Sequence, residues 1–247
     1  MAHETPVDNE LQNEIPNFIL NLLRLIWEER QDWFFGVDMA IHYQVGTPAI
    51  VPDVFLAVGV PRHKSERGRL SYVLWQEENV LPILALDAIS EKYNGEYETK
   101  LETYQDIGIL YYAIYNPLAS QKLKYKKRLS LKIYKLVNDV YQLIPPNEQG
   151  IVWMPEISLG VGCEVRSFAT WYREWVYLYD EAGNRYLTVD ETATQERIAK
   201  QQAEAIASQE RTAKQQAEAI ALQERTAKEQ AEALLKKYRD RFGDIPE

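Results

Sequence analysis

The sequence contains one cysteine, Cys163, and three histidines, His3, His42 and His63. A single cysteine cannot form an internal disulfide, and it excludes a cysteine-rich metal site. The histidines are scattered without a spacing such as HExxH, so they do not indicate a histidine-based metal site. A glycine-rich loop of the GxxxxGK[ST] type is also missing, which leaves an enzyme acting on a small-molecule phosphate without support.

Long apolar runs are missing as well. No uninterrupted apolar stretch approaches the length of about 20 residues that a transmembrane helix needs. The opening residues, MAHETPVDNE, are acidic and polar, unlike the basic and apolar leader of an exported protein. The sequence therefore predicts a cytoplasmic protein that has no membrane partner.

Positive charge is scarce in most of the chain, whose net charge is −9. Residues 191–247 carry 10 Lys/Arg and 11 Asp/Glu, and residues 1–190 carry 18 and 26, a balance of −8. Nucleic-acid affinity depends largely on cationic contacts, so this acidic body counts against nucleic acid unless a local basic patch compensates. The stretch QKLKYKKRLSLK, residues 121–132, is one candidate patch. Its alternative is a solvated hairpin or strand edge whose lysines discourage edge pairing.

The last quarter of the chain is a repeat whose units are each two heptads long. QERIAKQQAEAIAS, QERTAKQQAEAIAL and QERTAKEQAEALLK follow one another from Gln195. The residues that dominate these repeats, Ala, Glu, Gln, Lys and Arg, are strong helix formers. Thr192 followed by Gln195 resembles a capping box at the start of a helix. No glycine or proline interrupts the pattern before Gly243. We therefore predict two domains, residues 1–190 and a helical tail over residues 191–247.

An apolar stripe runs along this predicted helix. Its members recur once per heptad and are Ala199, Ile206, Ala213, Ile220, Ala227 and Leu234. Sustained heptads favour a coiled coil, although alternating alanine and isoleucine gives a weak seam. The alternative is a solvated single helix. We expect a homo-oligomer that associates through the C-terminal helix, and no chemistry in this segment.

The segment before this tail, residues 1–190, alternates between helical and strand-like patterns. IPNFILNLLRLIW predicts an amphipathic helix with Pro16 in its first turn, and YETKLETYQDIG predicts a second helix that ends at Gly108. Short β-rich runs include AIVPDVFLAV, LPILALDAI, ILYYAIY and SLKIYKLV. Residues 145–191 have the composition of a loop-rich segment. Together these patterns predict an α/β or α+β domain around a mixed sheet.

Two aspartates interrupt the strand-like runs. Asp53 follows Pro52 at the start of PDVFLAV, Asp87 lies within LPILALDAI, and Lys100 follows on the predicted helix. If the two strands are adjacent, both carboxylates converge at one edge of the sheet, with Lys100 above them. Two carboxylates are hard oxygen ligands that suit Mg²⁺, and a nearby lysine can stabilise charge that develops on a phosphate.

Each of these residues also has an interpretation without chemistry. Pro-Asp is a common turn pair, so Asp53 can cap a turn. Asp87 can accept hydrogen bonds from backbone amides or Ser90 at a strand end, and Lys100 can be a surface lysine. Residue types and spacing alone leave both interpretations open.

The order of the motifs resembles the PD-(D/E)XK restriction-endonuclease-like superfamily and, more closely, its Uma-two family of endonucleases. VPDVFLAVGV, LWQEENVLP, ALDAIS and KLETYQDIGILYYAIYNP follow that family's sequence in order, over about residues 8–190. The resemblance implies a restriction-endonuclease-like fold, with a mixed β-sheet core flanked by helices, followed by a long coiled-coil-like C-terminal helix. It implies an endonuclease that uses Mg²⁺ or Mn²⁺ and acts on DNA.

Carried over residue by residue, the resemblance makes Asp53 and Asp87 the metal ligands and Lys100 the catalytic lysine. Glu14 on the first helix corresponds loosely to an additional acid near the metal. Glu96 stands where the family has an acid before the lysine, and Lys92 is a second candidate for the lysine.

The sequence departs from the family pattern at several positions. The family has glutamate at Asp87, and the shorter side chain withdraws the carboxylate by about 1.5 Å. The family's Glu-Tyr pair is Tyr111-Tyr112 here, and the aspartate of its Asp-Pro pair is Asn116. These departures and the acidic body leave a second hypothesis open, a catalytically degenerate nuclease fold that serves as an interaction or assembly module.

Overall fold

The computed structural model of the protein describes residues 10–89, 98–117, 130–168 and 170–243. Its α-helices are α1 (Glu10–Ile26), α2 (Thr99–Ile107) and α3 (Val189–Phe242). Its strands are β1 (Trp33–Val37), β2 (Ile41–His42), β3 (Val54–Val58), β4 (Tyr72–Val73), β5 (Leu84–Ala88), β6 (Tyr111–Tyr115), β7 (Leu131–Val137), β8 (Val140–Ile144), β9 (Val152–Met154), β10 (Leu159–Phe168) and β11 (Trp171–Tyr179). The chain divides into two compact units, Met1–Val189 and Asp190–Glu247.

The first unit is built on a six-stranded sheet with the order β1-β3-β5-β6-β7-β8. Strands β5 and β6 are parallel, and every other pair in this sheet is antiparallel. Helix α2 lies between β5 and β6 in the chain and supplies the crossover that a parallel pair requires. The predicted mixed α/β fold is confirmed.

The two faces of this sheet pack against different partners. On one face, α1 and the three-stranded sheet β11-β10-β9 share a core with Tyr111 and Tyr115 of β6. On the other face, Tyr104 of α2 packs with Tyr112 and Ile114. This separation follows from the alternation of side chains along a strand. Ala85 lies on the α2 side, so Asp87, two positions further along β5, points to the same side.

Three local predictions are wrong. Residues 145–191 are not loop-rich, because β9, β10 and β11 form a sheet there, with β10 and β11 paired along nine residue pairs. Pro16 does not occupy a first turn, because α1 begins at Glu10. The buried face of α1 offsets the backbone hydrogen bond that Pro16 removes. Thr192 does not begin the tail helix, which starts at Val189.

The second unit contains helix α3, which begins at Val189, the last residue of the first unit. The helix has 54 residues, and Gly243, with φ of 76°, follows its end as predicted. Residues 193–241 are exposed throughout. Its exposed apolar side chains include Ile198, Ile206, Ile220, Leu222, Leu234, Leu235 and Tyr238. None of the helices in the described ranges is sufficiently long and apolar to cross a membrane.

A buried ion pair fixes the loop that follows β3. Arg69 donates from Nε to Oε1 and from Nη2 to Oε2 of Glu77, both at 3.0 Å, and Lys64 Nζ lies 2.7 Å from Oε1. The side chains of Arg69 and Glu77 are each only 3% exposed. Arg69 also donates to the carbonyl oxygen of Pro61 and covers the ring of Phe34. Glu77, the first acid of the LWQEENVLP motif, therefore has a structural role as the partner of Arg69.

We expect Glu77→Gln to lower the free energy of unfolding by about 3 kcal/mol or more, because Arg69 would keep a buried charge without a counter-charge. Urea denaturation followed by circular dichroism measures the change. Glu66→Gln on the same loop is the control, since Glu66 is exposed and its replacement should change stability by less than about 0.5 kcal/mol. Equal effects of the two replacements would contradict this role of Glu77.

Candidate active site

Asp53 and Asp87 lie side by side at one end of the six-stranded sheet. Strands β3 and β5 are antiparallel neighbours, and the pair Val54–Leu86 puts Asp53 opposite Asp87 one step beyond. The backbone N–H of Asp53 donates to Asp87 Oδ1 at 3.2 Å, and the N–H of Ala88 donates to Asp53 Oδ2 at 2.7 Å. Each carboxylate is therefore held by the backbone of the neighbouring strand.

The carboxylate of Asp87 is buried and accepts three hydrogen bonds. Lys100 Nζ donates to Oδ1 at 2.8 Å, and the hydroxyl of Tyr112 donates to Oδ2 at 3.0 Å. The backbone N–H of Asp53 supplies the third, and Tyr104 interacts electrostatically with the same carboxylate. The side chain of Asp87 is 1% exposed and that of Lys100 is 29% exposed. An ionised carboxylate has about four acceptor positions, so these donors occupy most of them.

Two buried tyrosines pack beneath Asp87. The hydroxyl of Tyr112 is the donor to Asp87. Burial raises the pKa of Tyr104, and the charge of Asp87 raises it further. The rings of Tyr104 and Tyr112 pack with centroids 4.7 Å apart, so each ring fixes the position of the other. Sequence analysis treated Tyr112 only as part of a family motif and missed its contact with Asp87.

Asp53 has a different environment from Asp87. Burial, and then the neighbouring charge of Asp87, raise the pKa of Asp53 from 3.8 to about 6. The hydrogen bond from Ala88 and the charge of Lys100 act in the opposite direction. Its Oδ1 receives no hydrogen bond within the described part of the chain. The pair therefore consists of Asp87, which is bonded to Lys100, and Asp53, where burial and repulsion outweigh the charge of the lysine.

Asp38 is a third acid in this row. Its N–H donates to the carbonyl oxygen of Asp53 at 3.0 Å. Asp38 follows β1, Asp53 precedes β3 and Asp87 lies in β5, and these three strands are adjacent. Its charge also raises the pKa of Asp53. Asp38 adopts φ of 45°, an uncommon conformation for a residue with a side chain. Sequence analysis missed Asp38, although an acid at the end of the apolar run WFFGV was the available signal.

Of the remaining sequence candidates, the structure describes Glu14. Glu14 is half-buried on α1, and none of the hydrogen bonds to Asp53 or Asp87 involves it. Lys92 and Glu96 lie outside the described residues. Most of the basic stretch 121–132 also lies outside them.

The chemistry of the donor set fits a divalent cation. Asp53 and Asp87 are hard oxygen donors, and Asp53 offers an oxygen that the described residues leave open. A cation would also relieve the repulsion that raises the pKa of Asp53. Within the described ranges, no group of three or more His, Cys, Asp or Glu side chains is arranged to hold a metal. The described residues thus offer two protein ligands, Asp53 and Asp87, a number typical of Mg²⁺, which retains several waters.

Comparison with known proteins identifies the class. A family model described as "Putative restriction endonuclease" matches residues 2–168. With the mixed sheet, this match confirms the restriction-endonuclease-like class, whose members generally use a divalent metal. The chain belongs to the Uma2 family. The resemblance drawn from the motifs is thereby confirmed, whereas the roles of Asp53, Asp87 and Lys100 stay predictions.

A solved structure from Anabaena variabilis, titled as that of a "putative nuclease belonging to DUF820", is also similar. It shares 11% identity with this chain, and the match covers 61% of this chain and 75% of the other, with a TM-score of 0.42. A similarity at this TM-score supports no conclusion about the function of this chain. No curated protein matches the sequence significantly.

We expect Asp53→Asn to stabilise the metal-free protein at pH 8. The folded-state pKa of Asp53 is raised to about 6, so its favourable contribution is complete below its unfolded pKa near 3.8 and is lost as the pH rises through about 6. The difference in melting temperature between Asp53→Asn and the parent should therefore be largest at pH 8 and disappear near pH 4. Scanning calorimetry in EDTA measures it.

Asp32→Asn is the control for this prediction. The hydrogen bond from Arg30 lowers the pKa of Asp32, so its contribution has the opposite dependence on pH. Asp32→Asn should give no stabilisation at pH 8. A loss of stability in Asp53→Asn that is constant from pH 4 to pH 8 would contradict the repulsion between Asp53 and Asp87.

Proposed function

We propose that the protein is a metal-dependent endonuclease that hydrolyses phosphodiester bonds of DNA. The observation that carries the proposal is the carboxylate pair of Asp53 and Asp87 with Lys100 bonded to it, in a chain of the Uma2 family. Among the described residues this buried acid pair contacts one lysine, which leaves an excess of negative charge that a bound cation would balance. Membership of an endonuclease family supports phosphodiesters as the substrate class.

In this proposal Asp53 and Asp87 hold Mg²⁺ or Mn²⁺. The cation, when bound, supplies Lewis acidity toward water and phosphate oxygens. Asp87 is the rigid ligand, because Tyr112 and the Asp53 amide fix its orientation. Asp53 is half-buried and presents its open oxygen to the cation. Lys100, whose side chain is partly exposed, stabilises the negative charge that develops on the phosphate.

DNA as the partner has to be reconciled with the acidic first domain. A cation bound by Asp53 and Asp87 would offset two negative charges of the first domain at the place where a phosphate must approach. Lys100 adds a positive charge at the same end of the sheet. The cytoplasmic location predicted from the sequence stays a prediction.

We expect the parent protein to nick supercoiled plasmid DNA with Mg²⁺ or Mn²⁺, and Asp53→Ala to reduce the rate by about a hundredfold or more, because electrostatic stabilisation is a large catalytic contribution. Agarose-gel assays with and without EDTA measure the rate. Asp106→Ala is the control, since Asp106 is an exposed acid on α2, and it should cleave at the parental rate. Equal nicking by the parent and Asp53→Ala would reject the assignment.

A second candidate function is an interaction or assembly module on a degenerate nuclease fold. The observation that favours it is α3, which is exposed over residues 193–241 and displays Ile206 and Ile220 at 57% and 56% exposure. Apolar side chains repeated along one stripe of a solvated helix are typical of a surface that pairs with another helix. We propose that α3 joins copies of this chain into a homo-oligomer, whether or not the first domain is active.

We expect the double replacement Ile206→Glu and Ile220→Glu to shift the protein toward a monomer, because charge in the stripe opposes helix pairing. Light scattering coupled to size-exclusion chromatography measures the mass. Ser208→Glu with Gln215→Glu is the control, since these exposed residues lie two positions away from the stripe. A mass that is the same for the parent and both double variants would count against assembly through the stripe.

A further inference from the structure

The groups that interact with Asp87 differ in how firmly they are held. The amide of Asp53 belongs to the sheet, and the side chains of Tyr104 and Tyr112 are buried at 1% and 0% exposure. Lys100 is different, because its amine ends a flexible four-carbon chain and its side chain is 29% exposed. Lys100 is therefore the donor that can leave Asp87 without rearrangement of the core.

The amine of Lys100 also occupies a place that suits a cation. It lies 2.8 Å from Asp87 Oδ1, the oxygen that also accepts the N–H of Asp53. The charge of Lys100 lowers the pKa of Asp53 as well, so the lysine acts on both carboxylates. Two cations that close to one oxygen would repel each other strongly in a partly buried site. Because Asp87 Oδ1 already accepts two hydrogen bonds, a second cation cannot simply be added at that oxygen beside the lysine.

We propose that Lys100 is the built-in counter-ion of the metal-free site, and that it competes with a divalent cation for Asp87 and leaves Asp87 when the cation binds. This inference rests on the proposed function for the identity of the metal ligands. It assigns Lys100 two successive positions, on Asp87 before the cation binds and against a phosphate afterwards. Metal affinity is then weakened by the hydrogen bond that Lys100 must give up.

The chain contains a matched lysine at the other buried acid. Lys64 Nζ lies 2.7 Å from Glu77 Oε1, its side chain is 34% exposed, and that of Glu77 is 3% exposed. Lys64 and Lys100 thus make similar ion pairs, but Arg69 also pairs with Glu77. Replacement of Lys64 is therefore a control for the loss of a lysine from a buried carboxylate away from Asp53.

The test measures dissociation constants for Mn²⁺ and Mg²⁺ by titration calorimetry at pH 8, where Asp53 is ionised. Lys100→Met should bind each metal about tenfold to a hundredfold more tightly than the parent, which corresponds to the loss of one charge-assisted hydrogen bond. Lys64→Met should bind with the parental affinity. Equal or weaker binding by Lys100→Met would overturn the proposal, because the removal of a cation that competes for Asp87 must strengthen metal binding.

A measurement on the unaltered protein covers the case in which Lys100→Met does not fold. Brief amine labelling followed by peptide mass spectrometry reports how accessible each lysine is. Labelling of Lys100 should become several-fold faster with saturating Mg²⁺, and that of Lys64 should not change. Labelling of Lys100 that Mg²⁺ leaves unchanged or slows would overturn the proposal.

Asp53→Ala separates this inference from the proposed function. If the parent binds Mn²⁺ and Asp53→Ala does not, the metal site stands, and the variants of Lys100 decide the inference alone. If the parent and Asp53→Ala bind Mn²⁺ equally, or if neither the parent nor Lys100→Met binds it, the metal ligands are misassigned and both proposals fail.

Discussion

The hydrogen-bonded carboxylate of Asp87 is the constraint on which the candidate site depends. A charged group that is 1% exposed would destabilise the fold if it lacked partners. Its partners come from three separate elements, β3 through the Asp53 amide, β6 through Tyr112, and α2 through Tyr104 and Lys100. One side chain therefore determines how the helix approaches the sheet and where Asp53 lies.

Two acids are buried in the described part of the chain, and they are compensated differently. Glu77 contacts two cations, and the bidentate pair with Arg69 balances its charge. Among the described residues Asp87 contacts one cation, Lys100, whose charge also acts on Asp53, and a further hydrogen bond comes from the hydroxyl of Tyr112. The first arrangement has no excess of negative charge and belongs to the scaffold. The second has an excess of negative charge, which is the condition under which a carboxylate pair attracts a cation.

The sequence predicted the sheet and the convergence of two strands because apolar runs and their breaks are local signals. Asp53 and Asp87 were recognisable as acids within such runs. The contacts of Tyr104, Tyr112 and Asp38 were not predictable in the same way, because they depend on which strands are neighbours and on the face that each side chain occupies. The sheet formed by β9, β10 and β11 was not predicted. One end of the β10–β11 hairpin is half-exposed, and the short polar stretches there hide the alternation of apolar and polar residues that would indicate a strand.

The departures from the family pattern affect the site unequally. Tyr111 replaces the family's glutamate, but it lies on the face opposite Asp87, where its hydroxyl bonds Glu156 and Lys135 donates to the same carboxylate. That exchange leaves the donors of Asp87 intact. The aspartate at position 87, where the family has glutamate, affects the site directly. Its shorter side chain keeps the carboxylate close to β3, within reach of the Asp53 amide. An acid drawn back into the sheet gains fixed donors and loses reach toward a metal. Any weakening of metal binding in this chain would therefore originate at position 87, and not on the opposite face of the sheet.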